Sequence, residues 1–544
     1  MKRLDHAVPL LHDYLLQSAA RLPDKLALVC GERRLTYREI ATQVNALAHA
    51  LVRRGVSRGD RVVIYLDNSV EAVVAFWAVL AADAVTVIVN PQTKADKLAY
   101  LLRDCRPTAM LAHAPLIRNF AGPTAAAPSM KTVIVSGPAE ALESEIAALP
   151  GGVIWEQALT GQPTDHPPAR RAIDIDLASI IYTSGSSGDP KGVMQTHLSM
   201  RTAATSVSAY LEVAEDEVIL GVLPLSFDYG LYQMIMAVRQ GARLVLEKSF
   251  VYPARVLDAV VEERVTGFPG VPTIYAIMNE LDNLADYDFS AVRYVTNTAA
   301  TLTEKHIDML RRIFPAARIY SMYGLTECKR VSFLPPEDLA RKPLSVGLAI
   351  PDTEIWVEDE AGNRLGPDQV GQLVVRGATV MRGYWEKPEA TAMKLRPGPL
   401  PSEVVLHTGD YCKFDADGYL YFVGRMDDII KSRGEKVAPR EVENAIANIE
   451  GVKEVAVIGV PDDILGQAVK AFVVLEQGVT MAAHDIVYAC QAKLESFMVP
   501  KAVVFVHDLP KTTTGKITKT GLDTYAPATG RLIAPETHRR YRKG

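Results

Sequence analysis

The stretch Thr183-Ser184-Gly185-Ser186-Ser187-Gly188-Asp189-Pro190-Lys191-Gly192 directly follows the apolar run Ser179-Ile180-Ile181-Tyr182. A short apolar run that ends in a glycine- and serine-rich turn is typical of a buried strand opening into a loop. Backbone amides without bulky side chains can crowd around phosphate oxygens, hydroxyls add donors, and Lys191 supplies a compact positive charge. The stretch therefore predicts a phosphate-binding loop at the end of a strand.

Two other interpretations of this loop fit the sequence less well. It is not a Walker A loop, because Lys191 is followed by Gly192 rather than by Ser or Thr and the glycine spacing differs. A flexible surface linker of Gly and Ser would not need the ordered Thr-Ser-Gly start, Pro190 and Lys191 directly after a strand.

Working outward from the loop, β-rich runs alternate with helical stretches, first at 61–66, 69–82 and 85–89. This alternation predicts βαβ units and an α/β body whose sheets are flanked by helices. After about residue 345 short strands joined by Gly-containing turns predict a β-hairpin subdomain. Further strand-like runs in the body occur at 109–111, 133–135, 180–182, 243–246 and 293–295.

The chain length indicates more than one domain, because 544 residues exceed what one compact core usually holds. We predict a large N-terminal body over 1–424, a hinge over 425–428 and a small mobile α+β domain over 429–544. The last part begins a new pattern, with a helix expected at 439–449 and a strand at 455–460.

Composition excludes several classes of protein. With 48% hydrophobic and 23% charged residues and a net charge of -5, the chain reads as a globular protein with no general attraction to nucleic acid. Five widely spread cysteines without a C-x-x-C pair argue against a disulfide framework or a zinc site. The longest apolar run, 72–82, is too short to span a bilayer, so we expect no stable membrane insertion and a cytoplasmic location.

Three motifs downstream of the loop decide the family resemblance. They are Tyr323-Gly324-Leu325-Thr326-Glu327, then His407-Thr408-Gly409-Asp410 with Gly424-Arg425, and finally Pro510-Lys511-Thr512-Thr513-Thr514-Gly515-Lys516-Ile517. Together with the loop, they resemble the adenylate-forming superfamily of acyl-CoA synthetases, luciferases and peptide-synthetase adenylation domains. The pattern is most similar to AMP-forming acyl-CoA ligases, and it spans nearly the whole chain.

The resemblance implies a two-step reaction. A carboxylate attacks the α-phosphorus of ATP to give an acyl-adenylate and pyrophosphate, and a thiol then displaces AMP to give a thioester. The implied substrates are a small-molecule carboxylate, ATP with Mg²⁺, and either CoA or the phosphopantetheine of an acyl or peptidyl carrier protein. Such catalysis depends mainly on positioning and electrostatics, so no nucleophilic triad is expected.

The nucleotide site follows from the resemblance residue by residue. The hydroxyl of Thr326 faces a phosphate and Glu327 holds Mg²⁺, for which a carboxylate oxygen is chemically suited. Asp410 accepts hydrogen bonds from the ribose hydroxyls beside Arg425. The other residues expected to bind nucleotide are Thr183, Ser184, Gly185, Ser186, Ser187, Gly188, Lys191, Thr298, Ala299, Ala300, Tyr323, Gly324 and Lys516.

The same resemblance gives roles to the C-terminal part. Asp427 matches the hinge position, and Lys431 lies on the face that forms the thioester. Gly434 leaves room for the pantetheine thiol, and Lys516 stabilises the transition state of adenylation. With Lys191, Thr326 and Glu327, the two lysines complete the expected catalytic set.

The acyl pocket is expected around Pro224-Leu225-Ser226-Phe227-Asp228-Tyr229-Gly230. Phe227 would meet the substrate carboxylate, and Met322 would narrow the pocket. Asp228 either lines the pocket, where it would favour an amine-bearing or polar substrate, or turns into solvent or caps a helix. Two alternatives to an acyl-CoA ligase therefore stay open: a stand-alone amino-acid adenylation enzyme and a catalytically degenerate interaction protein.

Overall fold

The computed structural model describes residues 10–139, 142–183, 189–298, 302–432, 435–462, 465–511, 517–519 and 521–524. The strands in these ranges, numbered along the chain, are β1 (Leu26–Cys30), β2 (Arg33–Thr36), β3 (Arg61–Tyr65), β4 (Val85–Ile88), β5 (Ala109–His113), β6 (Thr132–Ser136), β7 (Val153–Ile154), β8 (Leu177–Thr183), β9 (Lys191–Thr196), β10 (Val218–Gly221), β11 (Arg243–Leu246), β12 (Gly267–Gly270), β13 (Tyr294–Asn297), β14 (Arg318–Tyr323), β15 (Ser332–Leu334), β16 (Leu348–Ala349), β17 (Thr353–Glu358), β18 (Gly371–Gly377), β19 (Gly383–Tyr384), β20 (Leu395–Pro397), β21 (Val404–Phe414), β22 (Leu420–Arg425), β23 (Ile430–Ser432), β24 (Glu435–Val437), β25 (Val452–Asp462), β26 (Gly466–Leu475) and β27 (Ala502–Phe505).

The α-helices in the same ranges connect and cover these strands. They are α1 (Asp13–Arg21), α2 (Tyr37–Arg53), α3 (Val70–Ala81), α4 (Ala95–Cys105), α5 (Ile117–Ala125), α6 (Glu143–Ala147), α7 (Trp155–Leu159), α8 (His197–Tyr210), α9 (Asp228–Gln240), α10 (Pro253–Glu262), α11 (Pro272–Asn279), α12 (Glu304–Ile313), α13 (Pro388–Lys394), α14 (Pro439–Ala447) and α15 (Ala483–Gln491).

The described part of the body contains three sheets. The first sheet has the order β16-β15-β14-β13-β12-β10-β11-β1-β2, and the second has the order β19-β9-β8-β4-β3-β5-β6-β7. Most neighbouring strands in the middle of both sheets are parallel, as the predicted βαβ alternation requires. The third sheet, β17-β18-β21-β20 with β22 on β21, is antiparallel and forms the predicted hairpin subdomain.

Helix α3 shows why the body holds together. Ser69 caps its start by accepting a hydrogen bond from the backbone amide of Ala72, and the helix is buried from Val70 onward except at Glu71. A helix that is apolar on all sides must be surrounded by protein. One hydrophobic cluster accordingly joins α3 to residues of both the first and the second sheet.

The C-terminal residues form the fourth sheet, β24-β23-β26-β25 with β27 on β26, and this sheet has its own hydrophobic cluster with α14 and α15. Polar contacts between described residues reach the body: Lys305 Nζ donates to the carbonyl of Ile449 at 3.1 Å, and Lys453 pairs with Glu280. The predicted helix and strands of this region are present, so the expected α/β body with a C-terminal α+β part is confirmed.

The described helices include none that is both long and apolar enough to cross a bilayer. The five cysteines, Cys30, Cys105, Cys328, Cys412 and Cys490, are all free thiols.

Candidate active site

The predicted phosphate loop connects two antiparallel strands, β8 and β9. Thr183 ends β8 and Lys191 begins β9, the two residues are paired in register, and Thr183 Oγ1 donates to the carbonyl of Lys191 at 3.5 Å. Ser184, Gly185, Ser186, Ser187 and Gly188 lie outside the described residues. The structure thus gives the two ends of the loop, and they lie side by side.

A tyrosine that sequence reasoning missed connects Lys191 to Glu327. The Lys191 ammonium lies 5.7 Å from the centre of the Tyr384 ring, and the Tyr384 hydroxyl donates to Glu327 Oε1 at 2.7 Å. Burial, together with the Glu327 carboxylate, raises the pKa of Tyr384, so the hydroxyl keeps its proton and remains a donor. The only sequence signal was Gly383-Tyr384-Trp385, a glycine beside two aromatic residues.

Backbone contacts fix the turn that carries Thr326 and Glu327. Gln195 Nε2 donates to the carbonyl of Thr326 at 3.0 Å, and the amide of Met381 donates to the carbonyl of Glu327 at 2.7 Å. The turn is therefore held by β9 on one side and by the residues before β19 on the other.

Gly324 leaves the turn no space for a side chain. A Cβ atom there would lie 2.5 Å from the carbonyl oxygen of Lys329 and 3.0 Å from Arg330 Cα. We expect Gly324→Ala to lower the free energy of unfolding of the body by about 1–3 kcal/mol and to raise KM for ATP, because the turn must shift. Urea unfolding and initial rates of pyrophosphate exchange measure both effects.

Gly122→Ala is the matched control for this substitution. A Cβ at Gly122, within α5, meets nothing within 4 Å, so this variant should keep wild-type stability or gain slightly. Wild-type unfolding and wild-type KM for Gly324→Ala would contradict the close approach inferred here.

Asp410, Arg425 and Tyr323 form one polar group. Asp410 and Arg425 are paired across β21 and β22, and Arg425 Nε lies 3.4 Å from Asp410 Oδ1. The Tyr323 hydroxyl donates to Asp410 Oδ2 at 2.5 Å. Burial, followed by the charge of Asp410, raises the pKa of Tyr323, which therefore stays a donor. These two contacts hold the Asp410 carboxylate in one orientation, as the predicted contact with a ribose would require.

We expect Asp410→Asn to raise KM for ATP about 10- to 100-fold, since a hydrogen bond to a charged group contributes about 1.5–3 kcal/mol. Asn retains an acceptor for Tyr323 but loses the charge that faces Arg425. Initial-rate kinetics with ATP and the acid varied separately would check this, with exposed Asp368→Asn as control. An equal rise in KM for the acid would argue against a nucleotide-specific role.

In the first sheet, the strand before the predicted nucleotide-binding residues Thr298, Ala299 and Ala300 lies next to the strand that ends in Tyr323. Strands β13 and β14 are parallel, with Asn297 opposite Ser321, so Thr298 directly follows β13 while Tyr323 is the last residue of the neighbouring β14. Thr298 is buried. Ala299 and Ala300 lie outside the described residues.

Lys394 is a further cation that sequence reasoning missed. Its Nζ donates to the carbonyl of Thr408 at 2.6 Å. Burial lowers the pKa of Lys394, while the neighbouring charge of Glu327 opposes that shift. In the sequence it looked like an ordinary helix-terminal lysine of α13.

The predicted acyl segment borders a narrow cleft lined by Val207, Asp228, Tyr232, Lys329 and Arg330. Asp228 is the first residue of α9, and no side-chain hydrogen bond caps the helix at Phe227. Of the two orientations left open by the sequence, the structure has Asp228 lining the cleft. Whether it contacts the substrate stays a prediction.

Phe227 and Met322 are the other two residues predicted for the acyl pocket. Phe227 is half-buried and meets the Tyr229 ring edge-on at 6.2 Å. The Tyr210 hydroxyl donates to Met322 Sδ at 3.0 Å, and the Tyr210 ring stacks on Phe333 at 4.0 Å. Met322 thus packs with the aromatic side chains of Tyr210 and Phe333, the second of which lies opposite it in the sheet.

The C-terminal candidates are only partly described. Lys431 is exposed on β23, and its backbone amide donates to Gln467 Oε1 at 2.7 Å. Asp427 lies in a single 3-10 turn, Met426–Asp428, directly after β22. Gly434 and Lys516 lie outside the described residues.

Glu327 fits a role in holding Mg²⁺. One of its carboxylate oxygens accepts the Tyr384 hydrogen bond, which orients the group. The described residues contain no cluster of three or more His, Cys, Asp or Glu side chains suited to a metal ion. One or two carboxylates are enough where substrate phosphates and water supply the remaining ligands of Mg²⁺.

Comparison with known proteins decides the family. The model of the AMP-binding enzyme family matches residues 15–385, and that of the AMP-binding enzyme C-terminal domain matches residues 441–516. The chain belongs to the AMP-binding enzymes. The predicted resemblance to the adenylate-forming superfamily is confirmed, and so is the predicted activity of an AMP-forming acid–thiol ligase.

Three similar proteins illustrate the range of this family. A long-chain-fatty-acid–CoA ligase of Bacillus subtilis (strain 168) is 31% identical, over 94% of this chain and 95% of its own. The anthranilate CoA ligase AuaEII in complex with anthranoyl-AMP superposes with a TM-score of 0.85 at 28% identity, covering 96% of this chain and 98% of the ligase. A linear gramicidin synthase of Brevibacillus parabrevis is 28% identical over 97% of this chain but only 10% of the synthase polypeptide.

Proposed function

We propose that this enzyme activates a small carboxylic acid with ATP and Mg²⁺ and transfers the acyl group to CoA. The observation that carries the proposal is the contact chain from Lys191 through Tyr384 to Glu327, beside the group of Asp410, Arg425 and Tyr323. The cation, the hydroxyl donor and the carboxylate of this chain can bind phosphates and Mg²⁺, and the carboxylate of Asp410 is suited to the two hydroxyls of a ribose. An ATP site needs both parts.

In the first step, a carboxylate oxygen of the acid forms a bond to the α-phosphorus of ATP, and the bond to the bridging oxygen of pyrophosphate breaks. Lys191 and Lys516 stabilise the phosphate charge, and Asp410 with Arg425 holds the ribose. When bound at Glu327, Mg²⁺ neutralises negative charge on the phosphate oxygens.

In the second step, the sulfur of the thiol forms a bond to the acyl carbon, AMP leaves with the anhydride oxygen, and the thiol proton passes to solvent. We assign Lys431 and Gly434 to the face used in this step. We also propose that the parts 1–424 and 429–544 rotate about a hinge at 425–428 between the two steps, since a hinge needs few residues.

The free cysteines suit a reducing, cytoplasmic setting.

An acid panel with two acceptors tests this proposal. Purified enzyme is incubated with ATP, MgCl₂ and each acid, and AMP is measured with CoA or with a phosphopantetheinylated carrier protein. We expect AMP and a thioester with CoA. If a thioester forms only on the carrier protein, then the carrier protein, and not CoA, is the acceptor. If no acid leads to AMP, the proposed function is refuted.

A second candidate is a stand-alone amino-acid adenylating enzyme. The position of Asp228 in the cleft favours it, because a carboxylate there could pair with an α-ammonium group. Pyrophosphate exchange with amino acids but not with plain carboxylates would select this candidate.

A further inference from the structure

The acyl cleft contains a buried ammonium group whose Nζ forms no hydrogen bond with any described residue. Lys329 is 4% exposed, its Nζ has no hydrogen-bond partner in the described chain, and it lies 5.1 Å from the centre of the Tyr232 ring. Burying an ammonium without a hydrogen-bonding partner is costly. The face of the Tyr232 ring stabilises the ammonium, but less than the hydrogen bonds to water that burial removes. The Lys329 ammonium therefore needs a hydrogen-bond acceptor that the described residues do not provide.

The backbone holds this lysine in a rarely occupied conformation. Lys329 has φ 63°, in the left-handed region, where a residue with a long side chain is uncommon. The amide of Val331 donates to the carbonyl of Tyr323 at 3.0 Å and closes the turn behind it. The turn thus accepts a conformational cost that directs Lys329 inward instead of leaving it in solvent.

A second cation lies in the same cleft. Arg330 is 6% exposed, its guanidinium lies 5.2 Å from the centre of the Tyr229 ring, and its Nε has no hydrogen-bond partner among the described residues. Among the described residues that line the cleft, Asp228 is the one carboxylate, so two cations face one anion and the cleft has an excess of positive charge.

The cleft is narrow. Tyr232 lines it and is buried, and Tyr229, on the same helix α9, carries the ring that Arg330 faces. Asp228 follows Phe227, the residue expected at the reacting carboxylate, and Lys329 follows Glu327 by two residues. The two cations therefore belong to segments that the sequence assigns to the acid and to the nucleotide.

We propose that the substrate is a dicarboxylic acid whose second carboxylate is bound by Lys329 and Arg330; this rests on the proposed function above. The second carboxylate supplies the acceptors that both cations lack, and Asp228 then orients Lys329 from the side. A long apolar chain would leave the two cations without an acceptor. An ammonium group at the far end of the acid would meet their repulsion.

Matched acids test the proposal on the full-length enzyme. Initial rates of ATP–pyrophosphate exchange are compared for succinate against butyrate, and for glutarate against valerate. 4-Aminobutyrate, glycine, alanine and palmitate complete the panel, and 3-phosphonopropionate replaces the distal carboxylate by another anion. We expect kcat/KM for a diacid to exceed that of its monoacid by about 10- to 100-fold, the worth of a hydrogen-bonded charge.

Lys329→Met supplies the second measurement, because methionine retains the length of the side chain but not its charge. The diacid-to-monoacid ratio of kcat/KM should fall about 10- to 100-fold. Lys248→Met is the control: Lys248 is exposed, pairs with Asp67 at 3.0 Å, and should leave the ratio at the wild-type value. Circular dichroism melting shows whether each variant is folded. If Lys329→Met does not fold, the comparison of acids with the wild-type enzyme tests the dicarboxylate proposal.

The outcomes separate the two proposals. Equal or better use of butyrate, palmitate or an amino acid by the wild-type enzyme, or an unchanged ratio in folded Lys329→Met, overturns the dicarboxylate while leaving the ligase function intact. A preference for 3-phosphonopropionate over every diacid overturns the carboxylate in favour of a different distal anion. Absence of exchange with every acid refutes the proposed function itself.

Discussion

Replacing Lys516 by alanine is expected to abolish formation of the acyl-adenylate while largely sparing thioester formation from supplied acyl-adenylate. The lysine is assigned to the charge that develops on the phosphates in the first step only. Loss of one such electrostatic contact lowers a rate by about 10²- to 10³-fold. Pyrophosphate exchange measures the first half-reaction, and release of AMP from synthetic acyl-adenylate plus thiol measures the second.

Lys431→Ala provides the opposite case. It should mainly slow the thiol step, because Lys431, the exposed residue of β23, is assigned to the face that forms the thioester. The pair of variants therefore contains its own control for general damage. Equal loss of both half-reactions in Lys516→Ala, or equal damage to adenylation in Lys431→Ala, would contradict the two assignments.

Glu327→Gln is expected to lower the rate of adenylation about 10²- to 10³-fold and to raise the concentration of Mg²⁺ needed for half-maximal rate. Glutamine still accepts the hydrogen bond of Tyr384, so the substitution removes charge and leaves the local contact. Pyrophosphate exchange over a range of MgCl₂ concentrations measures both quantities.

Glu337→Gln, an exposed carboxylate ten residues further along, is the control and should behave as the wild type. If Glu327→Gln retains the wild-type rate and the wild-type dependence on Mg²⁺, the carboxylate does not hold the metal ion.

The fold was predictable because its elements carry strong local signals. The run at 61–66, the helix at 69–82 and the strand at 85–89 correspond to β3, α3 and β4 within one or two residues. Apolar runs of strand or helix length, and the polar residues that bound them, are properties of neighbouring residues, so they can be read without knowledge of the tertiary structure. The family motifs were recognised for the same reason.

The missed residues depend on pairing between distant segments. Tyr384 meets Glu327 only because β19 pairs with β9, with Tyr384 opposite Val193. In the sequence, Lys329 and Arg330 come shortly after the motif that ends at Glu327 and look like ordinary solvent-exposed charges. The left-handed turn at Lys329 and the antiparallel return of β15 on β14 direct them into the protein. Neither arrangement leaves a trace in the local composition.

The turn after Tyr323 also limits how this enzyme could be re-engineered or could diverge. Glu327, assigned to the nucleotide, and Lys329, assigned to the acid, are separated by one residue, and the carbonyl of Lys329 packs against Gly324. A change of substrate range made at Lys329 would therefore also disturb the use of ATP. We expect new specificities to arise first on α8 and α9, at Val207 and Tyr232, where the cleft can change without moving that turn.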